Sequence, residues 1–571
     1  MLFRSVAADV TLNSANGAAA GANISITGAI DESGARTLTV NGGTGGAVAF
    51  SSTLDMTAFT VTNSGTVAIT GATTVPTVTI TDTTTSVTFT GAVTIATAFN
   101  TAAEGHSIVF TGGGTITPDT TFSNTGGVTF GGGALPTMTF TNGVDTGTNA
   151  VTVQGTVDVP TAAATMTMAA VTTAGNSTLS TNGGVISVTG AVDIASGNLV
   201  VDSRTATAAG ANITFGDTMN GGSTLTVDAG TGGDVTFSGV VGGSTALGAV
   251  TFTNANDITM TTFSSASITQ AAGQGTTTFN GAVITSADPA IDFTGEALTI
   301  NSTINTESGS GAVEITNAGA LTIAAAGDLT LGGNFAQNGA GAVSTAGDIT
   351  ASGKNISFLR GVTLTGDVAL STGAGAGNVA FSSTLTGAYD LTVTAGSGDV
   401  TFSDTITSVG SANNADSITI VSTGSGVSFP EMTLTGGLNM AGINATFGSA
   451  TTVGGRILAA NVTTSNAVNI AFNDAGSVGS TITGTTTFNN TGTLTLGSVA
   501  GSSTTFTLGI DTSNASETHV GGTVDVTTNA ATMTMDVVTT DANATLSTDG
   551  GVISVTGAVD LSAGTLSVDS R

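Results

Sequence analysis

Asn23-Ile24-Ser25-Ile26, closing at Leu38-Thr39-Val40-Asn41-Gly42-Gly43-Thr44-Gly45-Gly46-Ala47-Val48-Ala49-Phe50, is the stretch whose reading decides the fold. It returns twice. Asn212-Ile213-Thr214-Phe215 leads to Leu225-Thr226-Val227 and Gly230-Thr231-Gly232-Gly233-Asp234-Val235-Thr236-Phe237. Asn378-Val379-Ala380-Phe381 leads to Leu391-Thr392-Val393 and Ala395-Gly396-Ser397-Gly398-Asp399-Val400-Thr401-Phe402. A fixed internal period is the mark of a stacked repeat architecture.

Within the stretch the smallest unit is a triplet, apolar, small polar, apolar, flanked by Gly, Asn, Thr or Ser. Val10/Leu12, Ile24/Ile26, Leu38/Val40, Val48/Phe50, Phe59/Val61, Val67/Ile69, Val78/Ile80 and Val87/Phe89 are examples. Alternation of period two puts both apolar side chains on one face of a strand and the residue between them on the other. Val48, Val67, Val87, Ile108 and Val128 mark a coarser step of about 20 residues. Strands this short at that spacing suit a coil of two or three strands per turn, each pairing with its equivalents above and below. The expected fold class is all-β, a parallel β-helix (β-solenoid) whose core is a narrow column of Val, Ile, Leu and Phe. Gly, Asn and Asp are expected at the corners. No segment shows a sustained helical period, and Gly, Thr and Val oppose helix throughout.

The long repeat divides the chain into a tail of a preceding unit (1–22), solenoid unit 1 (23–204), a divergent unit 2 (205–372) and unit 3 (373–571). Its clearest copy sets Thr165–Arg204 against Thr532–Arg571, identical at 29 of 40 positions. Leu2-Phe3-Arg4 and Asp9-Val10-Thr11-Leu12 resemble Phe358-Leu359-Arg360 and Asp367-Val368-Ala369-Leu370. The expectation is that these residues are a slice of a longer protein, or that the ends pack against neighbouring copies.

Composition excludes several function classes. Thirty-seven acids face seven bases, a formal charge of −30. Nucleic acid is excluded as a partner because phosphate neutralisation needs Lys and Arg, and an anionic membrane surface is excluded likewise. No apolar run reaches the roughly 18–20 residues of a membrane helix, so no membrane insertion is expected. With no cysteine, there is neither a disulfide framework nor a thiolate metal site.

Residues that could carry chemistry are sparse. His106 and His519, in Glu104-Gly105-His106-Ser107 and Glu517-Thr518-His519-Val520, do not match in the repeat and read as solvated loop residues. One Tyr, no Trp and one Lys are a poor basis for a polysaccharide-cleaving site, which needs clustered acids with bases. The expectation is no enzyme, no catalytic residues, no cofactor-binding residues and no metal site. Gly373-Ala374-Gly375-Ala376-Gly377 precedes a strand, not the helix that a phosphate loop requires. Calcium is the one cofactor left open: Gly232-Gly233-Asp234 and Gly398-Asp399 resemble single turns of calcium-binding nonapeptide repeats, without the tandem runs those need. The Asn-x-Ser/Thr sequons, among them Asn23, Asn212 and Asn444, imply no glycosylation in a chain so rich in Ser and Thr.

Gly341-Ala342-Val343-Ser344-Thr345-Ala346-Gly347-Asp348-Ile349-Thr350 and Gly353-Lys354-Asn355-Ile356-Ser357-Phe358 look like repeats of filamentous-haemagglutinin-like and autotransporter-type surface proteins. That resemblance implies a right-handed parallel β-helix, secretion across a Gram-negative envelope and an adhesive or matrix role. The expected function is an extracellular, cell-surface structural or adhesive fibre, self-associating end to end, with any host or matrix ligand unidentified. The alternatives are a surface-layer subunit, a receptor-binding adhesin or an ice-binding face. The last rests on Thr-x-Thr pairs (Thr37/Thr39, Thr77/Thr79, Thr137/Thr139, Thr165/Thr167, Thr532/Thr534), whose uneven spacing argues against one unbroken rank.

Overall fold

The computed structural model describes residues 6–15, 19–204, 209–411, 415–422, 427–440, 445–447, 457–459, 462–464, 469–472 and 479–571. Leu2-Phe3-Arg4, Asn444 and Arg456 lie outside them. The described residues are all-β, without helix, and their parallel strands stack in about 23 turns of a β-solenoid. They fall into two compact units, Met1–Ala282 and Val283–Arg571. That division is one of packing and differs from the sequence repeat.

In the first unit a turn is three short strands. Ala47–Phe50, Leu54–Asp55 and Ala58–Asn63 make one, and Thr66–Ile69, Thr73–Thr74 and Thr77–Ile80 the next. The 20-residue step in the sequence is one turn: Val48 pairs with Val67, Val67 with Val87, Val87 with Ile108 and Ile108 with Val128. Every apolar member of these triplets is buried and its middle residue faces out.

The second unit repeats the plan. Phe335–Gln337, Val343–Thr345 and Ile349–Ala351 are followed by Ile356–Phe358, Val362–Leu364 and Val368–Ser371. Phe335, Phe358, Phe381, Phe402 and Phe429 form a column with ring centroids 5.1–5.5 Å apart. Such contacts add to the area each ring buries. Val48, Phe50, Val235, Phe237, Val400 and Phe402, the residues expected to fill the core, are all buried.

Two features give the turns their shape. Gly43, Gly230 and Gly396 hold the same place in the three copies of the opening stretch, with φ of +68°, +70° and +58°. L-residues rarely adopt that conformation. The second feature was not expected. Val151–Val159, Val171–Thr181, Glu517–Val526 and Val538–Thr548 are long strands of 9 to 11 residues running through a corner. The pairing register shifts between Val153 and Gly155, and between Val520 and Gly522. These are bulges, which bend a strand without ending it.

Candidate functional surfaces

The opening Asn of each copy sits at a corner, one residue before its strand. Its side-chain oxygen accepts the backbone N–H of the residue one turn on. Asn23 Oδ1 accepts from Ala47 N, Asn212 Oδ1 from Asp234 N and Asn378 Oδ1 from Asp399 N, at 2.8–2.9 Å. The relay continues where the next corner is also Asn or Asp. Asp234 Oδ1 accepts from Asp257 N at 3.2 Å, and Asp257 Oδ1 from Thr276 N at 2.6 Å. Asn334 serves Asn355, and Asn355 serves Asn378, both at 2.9 Å. Asp234 and Asp399, the two aspartates singled out for calcium, are members of these ladders.

Four acids, Asp348, Asp367, Asp390 and Asp416, line a shallow groove of about 510 Å³ in the second unit. Its carboxylates also serve the ladder. Asp348 Oδ1 accepts from Ala369 N at 2.7 Å, Asp367 Oδ1 from Asp390 N at 3.0 Å and Asp390 Oδ1 from Ser411 N at 2.9 Å. Among the described residues no three His, Asp or Glu side chains converge as metal ligands.

Both histidines depart from the solvated-loop reading. His106 follows the Gly105 turn, just before the strand Ser107–Phe110, and its ring turns inward to complete burial. Burial pushes its imidazole below the ordinary value, against the opposing pull of Asp82 and Glu104. His519 lies within the long strand Glu517–Val526, on the outer face between two acids. Nδ1 is 2.9 Å from Asp541 and Nε2 is 3.3 Å from Glu517. Partial burial alone would depress His519. The Asp541 hydrogen bond and the charges of Asp541 and Glu517 outweigh it and hold the imidazole above its ordinary range. A hydrogen bond from Thr539 and the charge of His519 keep Glu517 below the usual carboxylate range. On a strand, residues two apart share a face, which puts Glu517 and His519 side by side.

The hydroxyl pattern also differs from expectation. Sequence spacing is uneven because the loops vary in length, yet the strands between them stay in register. In the second unit Thr299, Thr322, Ser344, Thr363, Thr386, Thr407 and Thr433 pair in succession. In the first unit Thr167, Ser187, Thr214, Thr236, Thr259 and Thr278 do the same. Thr363 and Thr407 are exposed and the others partly exposed. At about 4.8 Å per turn, these are straight, unbroken hydroxyl ranks.

No protein-family model, no curated protein and no solved structure matches this chain. Among the described residues no helix is long and apolar enough to cross a membrane.

Proposed function

We propose that this chain is a non-catalytic structural or adhesive fibre protein of a bacterial surface or extracellular matrix. The observation that carries the reading is the parallel turn-to-turn pairing among the described residues, exemplified in the second unit by Phe335–Gln337, Ile356–Phe358, Val379–Phe381 and Val400–Phe402. Backbone hydrogen bonds in such a stack run along the coil axis, and several bonds hold each turn to the next. A load along the axis is shared among them. Exposed strand edges at the end of a stack favour axial association with further copies. The haemagglutinin-like repeat pattern supports a surface location and export from the cell. Negative-stain microscopy of native material tests the proposal: separate fibres or end-to-end strings are expected, and single short particles at every concentration would refute it.

The hydroxyl ranks favour a second reading, an ice-binding face. Seven uncharged hydroxyls in a straight line at strand spacing could order water along it. Thr363→Tyr and Thr386→Tyr interrupt the rank without touching the core. Under this reading, ice recrystallisation inhibition is present in the native chain and lost in the double variant. No inhibition by the native chain rejects it.

A further inference from the structure

One corner of the coil in the first unit carries polar side chains turned inward on successive turns. Ser64, Thr83, His106 and Asn124 are exposed by 0%, 2%, 0% and 1%. Backbone bonds place them on adjoining turns. Thr84 N–H donates to Ser64 O at 2.8 Å, Ser107 N–H to Thr85 O at 3.0 Å and Gly126 N–H to His106 O at 3.2 Å. Asn124 Nδ2 donates to His106 O at 2.9 Å.

Five side-chain atoms of this corner have no hydrogen-bond partner within the protein: Ser64 Oγ, Thr83 Oγ1, His106 Nδ1, His106 Nε2 and Asn124 Oδ1. Inward polar side chains can be closed by the protein itself. Gln337 Nε2 donates to Asn317 Oδ1 at 2.8 Å, while its Oε1 accepts from Leu359 N and Arg360 N at 3.2 Å. Asn149, one turn beyond Asn124, donates to Thr146 O at 2.9 Å and Phe122 O at 3.2 Å. Its Oδ1 accepts from Gly127 N at 3.1 Å and Asn124 Nδ2 at 3.3 Å. In the corner from Ser64 to Asn124 no protein group closes these five atoms in that way, and Asn149 bounds the corner on one side.

An unpaired buried polar atom forfeits the hydration it had in the unfolded chain. Five of them in one corner call for a ligand that both donates and accepts. Hydroxyls and a neutral imidazole do both, and Asn124 Oδ1 only accepts. A metal ion would meet one imidazole and no buried carboxylate, because Asp82 and Glu104, whose charges act on His106, are not buried. Water matches the set, since buried water typically makes about three hydrogen bonds to otherwise unsatisfied groups.

We propose that this corner is an internal hydration site, in which ordered water bridges Ser64, Thr83, His106 and Asn124 along the coil. The water holds His106 neutral and inside. The site should yield to acid, because a protonated ring would place a charge in a seam built for neutral groups.

Two measurements test this. The first is a crystal structure of the chain with its solvent resolved. Water is expected at about 2.7–3.2 Å from a ring nitrogen of His106 and from Thr83 Oγ1 or Asn124 Oδ1. A dry corner, a metal ion there, or ring nitrogens bonded directly to protein groups overturns the proposal. The second is nitrogen-15 NMR of His519→Gln, which leaves His106 as the single histidine. A neutral ring below pH 6.5 with cross-relaxation to long-lived water is expected. A ring that titrates normally, or exchanges no magnetisation with water, overturns it.

Discussion

At Gly230 the backbone has φ of +70°, and a Cβ placed there would stand 2.2 Å from Ala209 O. Gly230→Ala therefore meets a strained conformation and a clash together. The strain alone costs on the order of 1–3 kcal/mol, so the variant should melt well below the native chain when followed by circular dichroism. His519 gives a prediction of a different kind. Its folded pKa is raised, so its contribution is fully present below the ordinary value of 6.5 and is lost as pH rises through the folded value. Glu517 is depressed, so its contribution is present above the ordinary 4.5 and is lost as pH falls through its folded value. The stability difference between native and His519→Gln should be largest at about pH 5–6 and shrink on either side. A flat difference from pH 4 to 8 would show that the Glu517–His519–Asp541 cluster adds nothing to stability. Neither histidine was legible as it stands. Glu104-Gly105-His106 and Glu517-Thr518-His519 are alike on paper, and only the corner at Gly105 and the fused strand at Glu517 tell inward from outward.

The strand is the scale at which the sequence was most legible. Val48/Phe50, Val235/Phe237 and Val400/Phe402 alternate with small polar residues, and a period of two has one physical meaning when one face is buried. The 20-residue step was equally plain, because Val48, Val67, Val87, Ile108 and Val128 are partners in one ladder. What escaped was everything governed by loops. The uneven threonine spacing concealed straight ranks, since loop length does not alter register. The fused strands at Val151–Val159 and Glu517–Val526 also escaped, because a bulge at Gly155 or Gly522 looks like any corner glycine. Two substitutions probe the column itself. Phe381 stacks at 5.3 Å on Phe358 and 5.1 Å on Phe402, so Phe381→Ala should cost about 3–5 kcal/mol in urea denaturation. Val235→Asp buries a carboxylate beside Ile213 and Ile258 with no partner there. It should be the more damaging of the two, leaving the first unit open to proteolysis at temperatures the native chain withstands.

Over the whole molecule, a charge of −30 sets the terms of assembly. Like-charged solenoids repel sideways, and screening shortens that repulsion to about 8 Å near physiological salt. If the proposed fibres form, they should stay separate at low ionic strength and bundle as salt rises, a change light scattering and microscopy can follow. Calcium at matched ionic strength distinguishes screening from bridging. Extra bundling would assign intermolecular bridging to the carboxylates around Asp348, Asp367 and Asp390. No difference from sodium would confine those groups to their hydrogen bonds with the next turn. Particles that remain monomeric across the whole series would remove the fibre reading.

The Asn and Asp corners carry a last consequence, for the protein's lifetime. Asparagine in long-lived proteins slowly loses its amide, to aspartate or to isoaspartate, and where the side-chain nitrogen is the working group even the aspartate product is damage. At Asn212, Asn355 and Asn378 the working atom is the oxygen. The aspartate product leaves an oxygen in the same place, now charged and a stronger acceptor. Asp234 and Asp257 already fill the same role in the same ladder. Where ageing yields aspartate, these turn-to-turn links therefore keep their acceptor, and the corner gains a charge instead of losing a bond.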